Sequence, residues 1–388
     1  MQRLRIDERA DWREQAEAQG FDFHTIDGEP YWDESACYTF TLDEIERDIE
    51  APTQELHEMA MALVGDVANS GELMAKLGIA PGFWDTVAQS WRRRDPHLYG
   101  RMDLAYDGNG AAKLYELNYD TPTSLFEAGF FQWNWLEDQV RDGRLPNGAD
   151  QYNRIQEALQ ERFAALLAEG KVASCIHFAA TQSSREDQTT IAYLQECAHQ
   201  SGIETIGLAI EDIGISADGW FTDLDDRVIR TLFKLYPLED MFRDAFGPKL
   251  AANTMQLIEP PWKSVLSNKG ILALLWERHP GHPNLLETRF AERGQTPATG
   301  WALKPIHSRE GANITLALDG GTTIGTSGPY DTSLAVLQRV QPLPTFDGRY
   351  PVIGSWVVGD EAVGMGIRED ASLITTDSAR FLPHAILG

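Results

Sequence analysis

The chain is poor in cysteine. Among 388 residues only Cys37, Cys175 and Cys197 occur, far apart and without CxxC spacing. That excludes a disulfide framework and a zinc cluster, and it fits a reducing cytoplasm. Positive charge is also scarce: 33 Lys and Arg stand against 59 Asp and Glu, for a formal charge of −26. Such a surface disfavours nucleic-acid phosphates and anionic membranes, and it would draw cationic ligands such as amines or polyamines. Solubility alone would also account for it. No apolar run is long enough to span a bilayer, and the opening MQRLRIDERADWREQ has no apolar core of a signal peptide. Several catalytic signatures are missing too. There is no GxxxxGK[ST] phosphate loop and no GxSxG elbow, and Met61 stands where an HExxH site beginning at His57 needs its second histidine. Any nucleotide site must be built another way.

What remains is an ordinary globular composition, 43% hydrophobic and 24% charged, in a chain long enough for two or three lobes. Thr41 and Glu44 have capping-box spacing, Leu42, Ile45 and Ile49 follow helical intervals, and Pro52 suits the first turn of a second helix. Residues 41–80 therefore read as helical. The aromatic stretch FEAGFFQWNWLED reads as a buried segment beneath what precedes it. Strands are expected at 172–178 and 204–210 with a helix near 186–200 between them, a βαβ unit that implies a parallel sheet. A further strand is expected at 228–236, then a helix in SNKGILALLWERH, a strand in WALKPI and alternating strands to the end. The fold class is mixed α/β, with sub-lobes near 1–165, 166–262 and 263–388 that interlock.

The richest chemistry lies in RMDLAYDGNGAAKLYELNYD, residues 101–120. Asp107-Gly108-Asn109-Gly110 signals a hairpin turn. Pairing Tyr106 with Lys113 sets Asp103 opposite Glu116 and Arg101 opposite Asn118, all on one face. Two carboxylates and an amide oxygen, Asp103, Glu116 and Asn118, make a hard-oxygen set suited to Mg²⁺, and Arg101 beside them can fix an anion. A solvated hairpin face with cross-strand charge pairs is the alternative. Farther on, Lys304 enters the small-residue loop 307–313, which holds Ser308 and Gly311. Such a loop can lie over a triphosphate, and Lys269 is a second phosphate candidate. Either lysine would equally suit a solvated surface. Gln338, in VLQRVQPLP, is the side chain best placed to meet an adenine, although a plain core strand fits as well. Arg368 can reach a transferring phosphoryl group or pair with Glu369 or Asp370.

Four stretches, YELNYDTPTSLFEAG, EPPWKSVLSNKGILALLWE, KPIHSREGANI and GIREDASLI, together resemble the glutathionylspermidine synthase family in order and spacing. The likeness runs from about residue 5 to the end and is greatest to short members without the fused amidase domain. It implies an ATP-grasp fold and an ATP- and Mg²⁺-dependent ligase that joins a carboxylate to an amine through an acyl phosphate, with a homodimer as the family's habit. It implies Asp103, Glu116 and Asn118 as magnesium ligands, Arg101 at the acyl phosphate, Lys269 and Lys304 on ATP phosphates, residues 307–313 as the lid and Arg368 at the transferring phosphoryl. Thr121 and Thr123 match hydroxyls near the acid substrate. Glu186 matches an acidic substrate contact, either an anchor for the cation or the base that deprotonates the amine. One segment departs from the pattern: FKLYPLED, 233–240, stands where bifunctional members have WKTWAWET. Two threonines near glutathione become Leu235 and Asp240, which disfavours a thiol tripeptide with carboxylates of its own.

Overall fold

The structure is a computed structural model that describes every residue except 27 and 253. Its centre is a five-stranded antiparallel sheet. The order across it is Arg380–Leu382, Glu361–Asp370, Tyr350–Val358, Tyr99–Ala105 and Lys113–Asn118. Strands far apart in the chain thus lie side by side, and Tyr99–Ala105 is buried along its whole length. A parallel sheet of four strands stands beside it, in the order Gln256–Ile258, Thr231–Leu235, Cys175–Ala180, Glu204–Ala209. The expected βαβ unit is there, crossing through the helix Arg185–Gln200. Its first strand starts three residues later than expected, at Cys175, and the further strand expected at 228–236 is trimmed to Thr231–Leu235. A second five-stranded antiparallel sheet carries Trp301–Pro305 at its middle, flanked by Ala335–Arg339 and Thr315–Ala317.

The helical expectation for 41–80 resolves into local causes. The Thr41 hydroxyl accepts from the Glu44 amide and the Glu44 carboxylate from the Thr41 amide, a complete capping box. The helix then widens into a π turn, Ile45–Glu50, and continues as Ala51–Ala68 with Pro52 in its first turn. Leu56, Ala60, Leu63, Val64 and Val67 bury one face of it at helical intervals. The aromatic stretch forms a π turn, Glu127–Phe131, and the helix Gln132–Arg141, whose Phe131 and Trp135 pack into a core with Trp32 and Phe381. The chain ends meet: Gln2–Arg5 and His384–Ile386 lie on opposite edges of Ala36–Phe40. No helix among the described residues is long and apolar enough to cross a membrane.

Candidate active site

The hairpin pairs Asp103 with Glu116 and Arg101 with Asn118, as expected, but not by the expected route. Ala105, not Tyr106, faces Lys113, and the register shifts between Asp103 and Leu104. The extra residue on the second arm is Tyr115, a β-bulge. It re-aims that ring: the Lys304 ammonium lies 5.1 Å from its centroid, and its hydroxyl donates to the Gln341 carbonyl.

Arg101 and Arg368 close on one carboxylate. Arg101 Nε donates to Asp103 Oδ1 at 2.7 Å, and Arg368 donates to Oδ2 at 2.7 Å. Arg101 also donates to the Thr123 carbonyl at 2.6 Å. Arg368 does not use its sequence neighbours; Glu369 takes Arg3 and Tyr38, and Asp370 takes backbone amides at Ser372 and Thr376. Room for the Arg101 stem comes from Gly354, across from Asp103. A Cβ there would approach Arg101 Cδ to 2.8 Å.

The two lysines meet the second carboxylate. Lys269 Nζ lies 2.9 Å from Glu116 Oε2 and also donates to the Ser308 carbonyl at the root of the loop. Burial would raise the Glu116 carboxyl, but Lys269 and then Lys304 outweigh it and hold it down to about 2. Burial brings Lys304 down to about 8, against the pull of Glu116. Gln338 lines the same cleft as these lysines, where its Oε1 accepts from Lys304 at 2.7 Å and its Nε2 donates to the Tyr115 carbonyl at 3.3 Å. Its position in the structure is that of a holder of Lys304.

These side chains line one cleft of about 1320 Å³, including space open to solvent. Thr121, Thr123, Ser308 and Gly311 line it too, as do the apolar Val340, Pro342 and Leu343. Glu186 is not among the lining residues but neighbours Thr123, Arg368 and Arg101, which are. Burial raises its carboxyl, while the Thr123 hydroxyl, Arg368 and Arg101 oppose that. Asp187, beside it in the same first helical turn, is raised to about 6 by burial and by Glu186. Of the two departures in 233–240, Leu235 is buried in the parallel sheet and Asp240 lies 3.3 Å from Arg243.

Asp103, Glu116 and Asn118 suit a hard divalent cation by donor type and by their shared face, with Asn118 Nδ2 already 3.3 Å from Glu116 Oε1. Among the described residues no group of three or more His, Cys, Asp or Glu side chains is arranged to hold a metal, and the set found here counts only two carboxylates. Each of those is met by cations of the chain, as the charge-paired alternative allowed, but the sequence reading did not anticipate that Lys269 and Arg368 would supply them from outside the hairpin. It also missed Asp120, which accepts from the Leu238 amide at 2.7 Å and pairs with the fully buried Lys234. It missed Glu127 as well, whose Oε1 takes the Tyr31 hydroxyl at 2.7 Å. The signal for Asp120 and Glu127 was present, since both fall inside YELNYDTPTSLFEAG.

Residues 3–387 match the glutathionylspermidine synthase preATP-grasp family. The chain belongs to this family. A Haemophilus influenzae protein described as a "putative acid–amine ligase" is 40% identical over 386 residues, 94% of each chain. The bifunctional glutathionylspermidine synthetase/amidase of Escherichia coli is 29% identical over 90% of this chain. The trypanothione synthetase of Crithidia fasciculata is 28% identical over 83%. This chain spans 59% and 52% of the length of those two. A glutathione synthetase-like effector from Globodera pallida has the same fold, with a TM-score of 0.61 at 11% identity over 97% of this chain and 95% of that one. The fold is thus the ATP-grasp type, and the glutathionylspermidine synthase family to which the chain belongs is one of ligases.

Proposed function

We propose that the chain is an ATP- and Mg²⁺-dependent ligase joining a carboxylic acid to an amine, with ADP and phosphate as products. The carrying observation is the convergence of Arg101, Asp103, Glu116 and Arg368 with Lys269 and Lys304 in one cleft. Asp103, Glu116 and Asn118 would hold a magnesium ion, which would supply charge neutralisation at the phosphates. Lys269 and Lys304 grip ATP phosphate oxygens, and the loop 307–313 lies over them. Arg101, fixed by Asp103 and the Thr123 carbonyl, orients the acid, whose carboxylate oxygen takes the terminal phosphoryl of ATP. Arg368 meets the negative charge that grows on that group during transfer. The amine nitrogen then attacks the activated carbonyl carbon, phosphate leaves, and the nitrogen loses a proton. Thr121 and Thr123 face the acid. Glu186 and Asp187 give the cleft an acidic flank that suits a cationic amine, a polyamine among them. The same reading places the enzyme in the cytoplasm and allows a homodimer.

The acid is a separate matter. Leu235 and Asp240 stand where glutathione-using members carry threonines, and the Haemophilus relative bears only the general name of an acid–amine ligase. By these two residues an amino acid or another peptide is favoured over glutathione, which the overall family match supports; neither residue is among those lining the cleft. A scaffold that binds nucleotide without chemistry is the contrasting reading.

A screen of acid and amine pairs, read by ADP release and by mass spectrometry of the product, tests all three. Amide formation that needs both partners supports the ligase; nucleotide binding without turnover for any pair leaves only the scaffold. In the active pair, Glu116→Ala should cut turnover by ~10²–10³-fold, the scale of losing one charge-stabilising group. Wild-type ADP release by Glu116→Ala at saturating Mg²⁺ would refute the metal assignment.

A further inference from the structure

Two clasps leave one short segment of chain, residues 234–239. At its start, Lys234 pairs with Asp120, and the Leu238 amide donates to the same carboxylate at 2.7 Å. Asp120 lies between Asn118 and Thr121, so this clasp fixes the wall that carries Thr121 and Thr123. At the other end, Glu239 Oε1 accepts from Arg309 at 2.6 Å, and His307 Nδ1 lies 3.7 Å away. Arg309 and His307 belong to the loop over the phosphates. The second Glu239 oxygen is buried without a hydrogen-bond partner among the described residues. Across the cleft the same loop is tied by Lys269 to the Ser308 carbonyl. The loop is therefore gripped from the nucleotide side by Lys269 and from the acid side by Glu239.

We infer that Glu239 is a positioning residue which, through Arg309, makes closure of the loop 307–313 depend on the wall that receives the acid. This rests on the ligase reading above. Its chemical consequence lies in the fate of the acyl phosphate. Attack by the amine nitrogen forms the C–N bond, breaks the C–O bond to phosphate and releases a proton. Attack by water at the same carbon returns the acid and phosphate, and the ATP is spent without product. A loop held down by Glu239 keeps that water out. Segment 234–239 is thereby a link between the two halves of the cleft: it grips the acid's wall through Asp120 and the phosphate loop through Arg309.

The test uses Glu239→Gln, which keeps the shape and removes the charge, and Arg309→Gln, which removes the other partner. Trypsin cleavage after Arg309 in the protein without substrates, followed by mass spectrometry, reads the clasp itself. Glu239→Gln should be cut about 10-fold faster than wild type, the scale of one lost charge-assisted hydrogen bond. With the active acid and amine, wild type should release ADP and amide in equal amounts. Either variant should release a several-fold excess of ADP, with a double variant no worse than the single ones. A merely structural role would lower both products together. Unchanged cleavage in Glu239→Gln overturns the clasp. Faster cleavage with ADP and amide still equal overturns the coupling. If wild type forms no amide with any pair, the ligase reading fails and takes the coupling with it, while the clasp is judged by cleavage alone.

Discussion

Glu127 is a carboxyl for which the fold provides little charge stabilisation. It is fully buried, one oxygen takes the Tyr31 hydroxyl, and the other has no partner among the described residues. Burial first and Glu186 second raise it to about 8, with Tyr31 and Arg101 only partly opposing. In the unfolded chain it titrates in the usual carboxylate range. As pH rises from about 5 to about 8, the unfolded state gives up this proton while the folded state keeps it, so stability contributed at low pH is lost. Each unit of that shift is worth about 1.4 kcal/mol before relaxation. Glu127→Gln cannot ionise, so its melting temperature should gain on wild type across that window and stop gaining above it. Parallel melting curves at both ends would show that Glu127 is charged in the folded protein. Lys304 has the opposite sense. Lowered to about 8 by burial, it loses its charge as pH climbs through that value, and kcat/KM for ATP should fall there. Lys304→Arg, whose charge persists, should flatten the fall. Residues such as these were legible by type and not by environment: a lysine before a glycine-bearing loop can be picked out of the sequence, but the glutamine that holds it belongs to a strand 34 residues away.

Elements were read well where their pattern is local. The capping box at Thr41, the alternation around Arg101 and Asp103, and the βαβ unit all rest on neighbours in sequence. The bulge at Tyr115 did not come out, although it left a trace. Leu114 and Leu117 are the buried residues of their strand, and they lie three apart where a regular strand would bury positions two apart. Without the partner strand such a break has no unique meaning. Gly354 was likewise silent, because its role is to be empty beside a side chain 253 positions earlier. That emptiness is testable. Gly354→Ala puts a methyl against the Arg101 stem in a strand paired on both edges, where neither backbone can retreat. Arg101 should leave Asp103, and turnover should drop by ~10²-fold, as for a misplaced orienting group. The melting temperature should change little by comparison. Full activity in Gly354→Ala would mean that Arg101 does not need the position seen here.

At the scale of the molecule, the cleft is a junction of sheets whose strands come from both ends of the chain. No local pattern announces that Tyr99–Ala105 will pair with Tyr350–Val358, or that the two termini will share Ala36–Phe40; the family likeness carried the reading to the fold type and to interlocked lobes, not to these pairings. Net charge, in contrast, is read directly from composition. A charge of −26 surrounds a cleft lined by Lys269, Lys304, Arg101 and Arg368, the side proposed for phosphate, with Glu186 and Asp187 near it. A polyamine approaches such a body down a favourable potential; ATP approaches against the overall charge and is attracted only near the lysines. Salt acts on the two in opposite directions. At 0.1 M the screening length is about 10 Å, so raising salt from well below to well above that value removes the long-range field and spares close ion pairs. For the proposed ligase, kcat/KM for a polycationic amine should fall several-fold over that range, while kcat/KM for ATP stays level or rises. A neutral-chain amine of equal length should respond less, in proportion to its smaller charge. If the polyamine's kcat/KM were independent of salt while the ATP value fell, the surface charge would have no part in gathering the amine and the acidic flank would lose its proposed role.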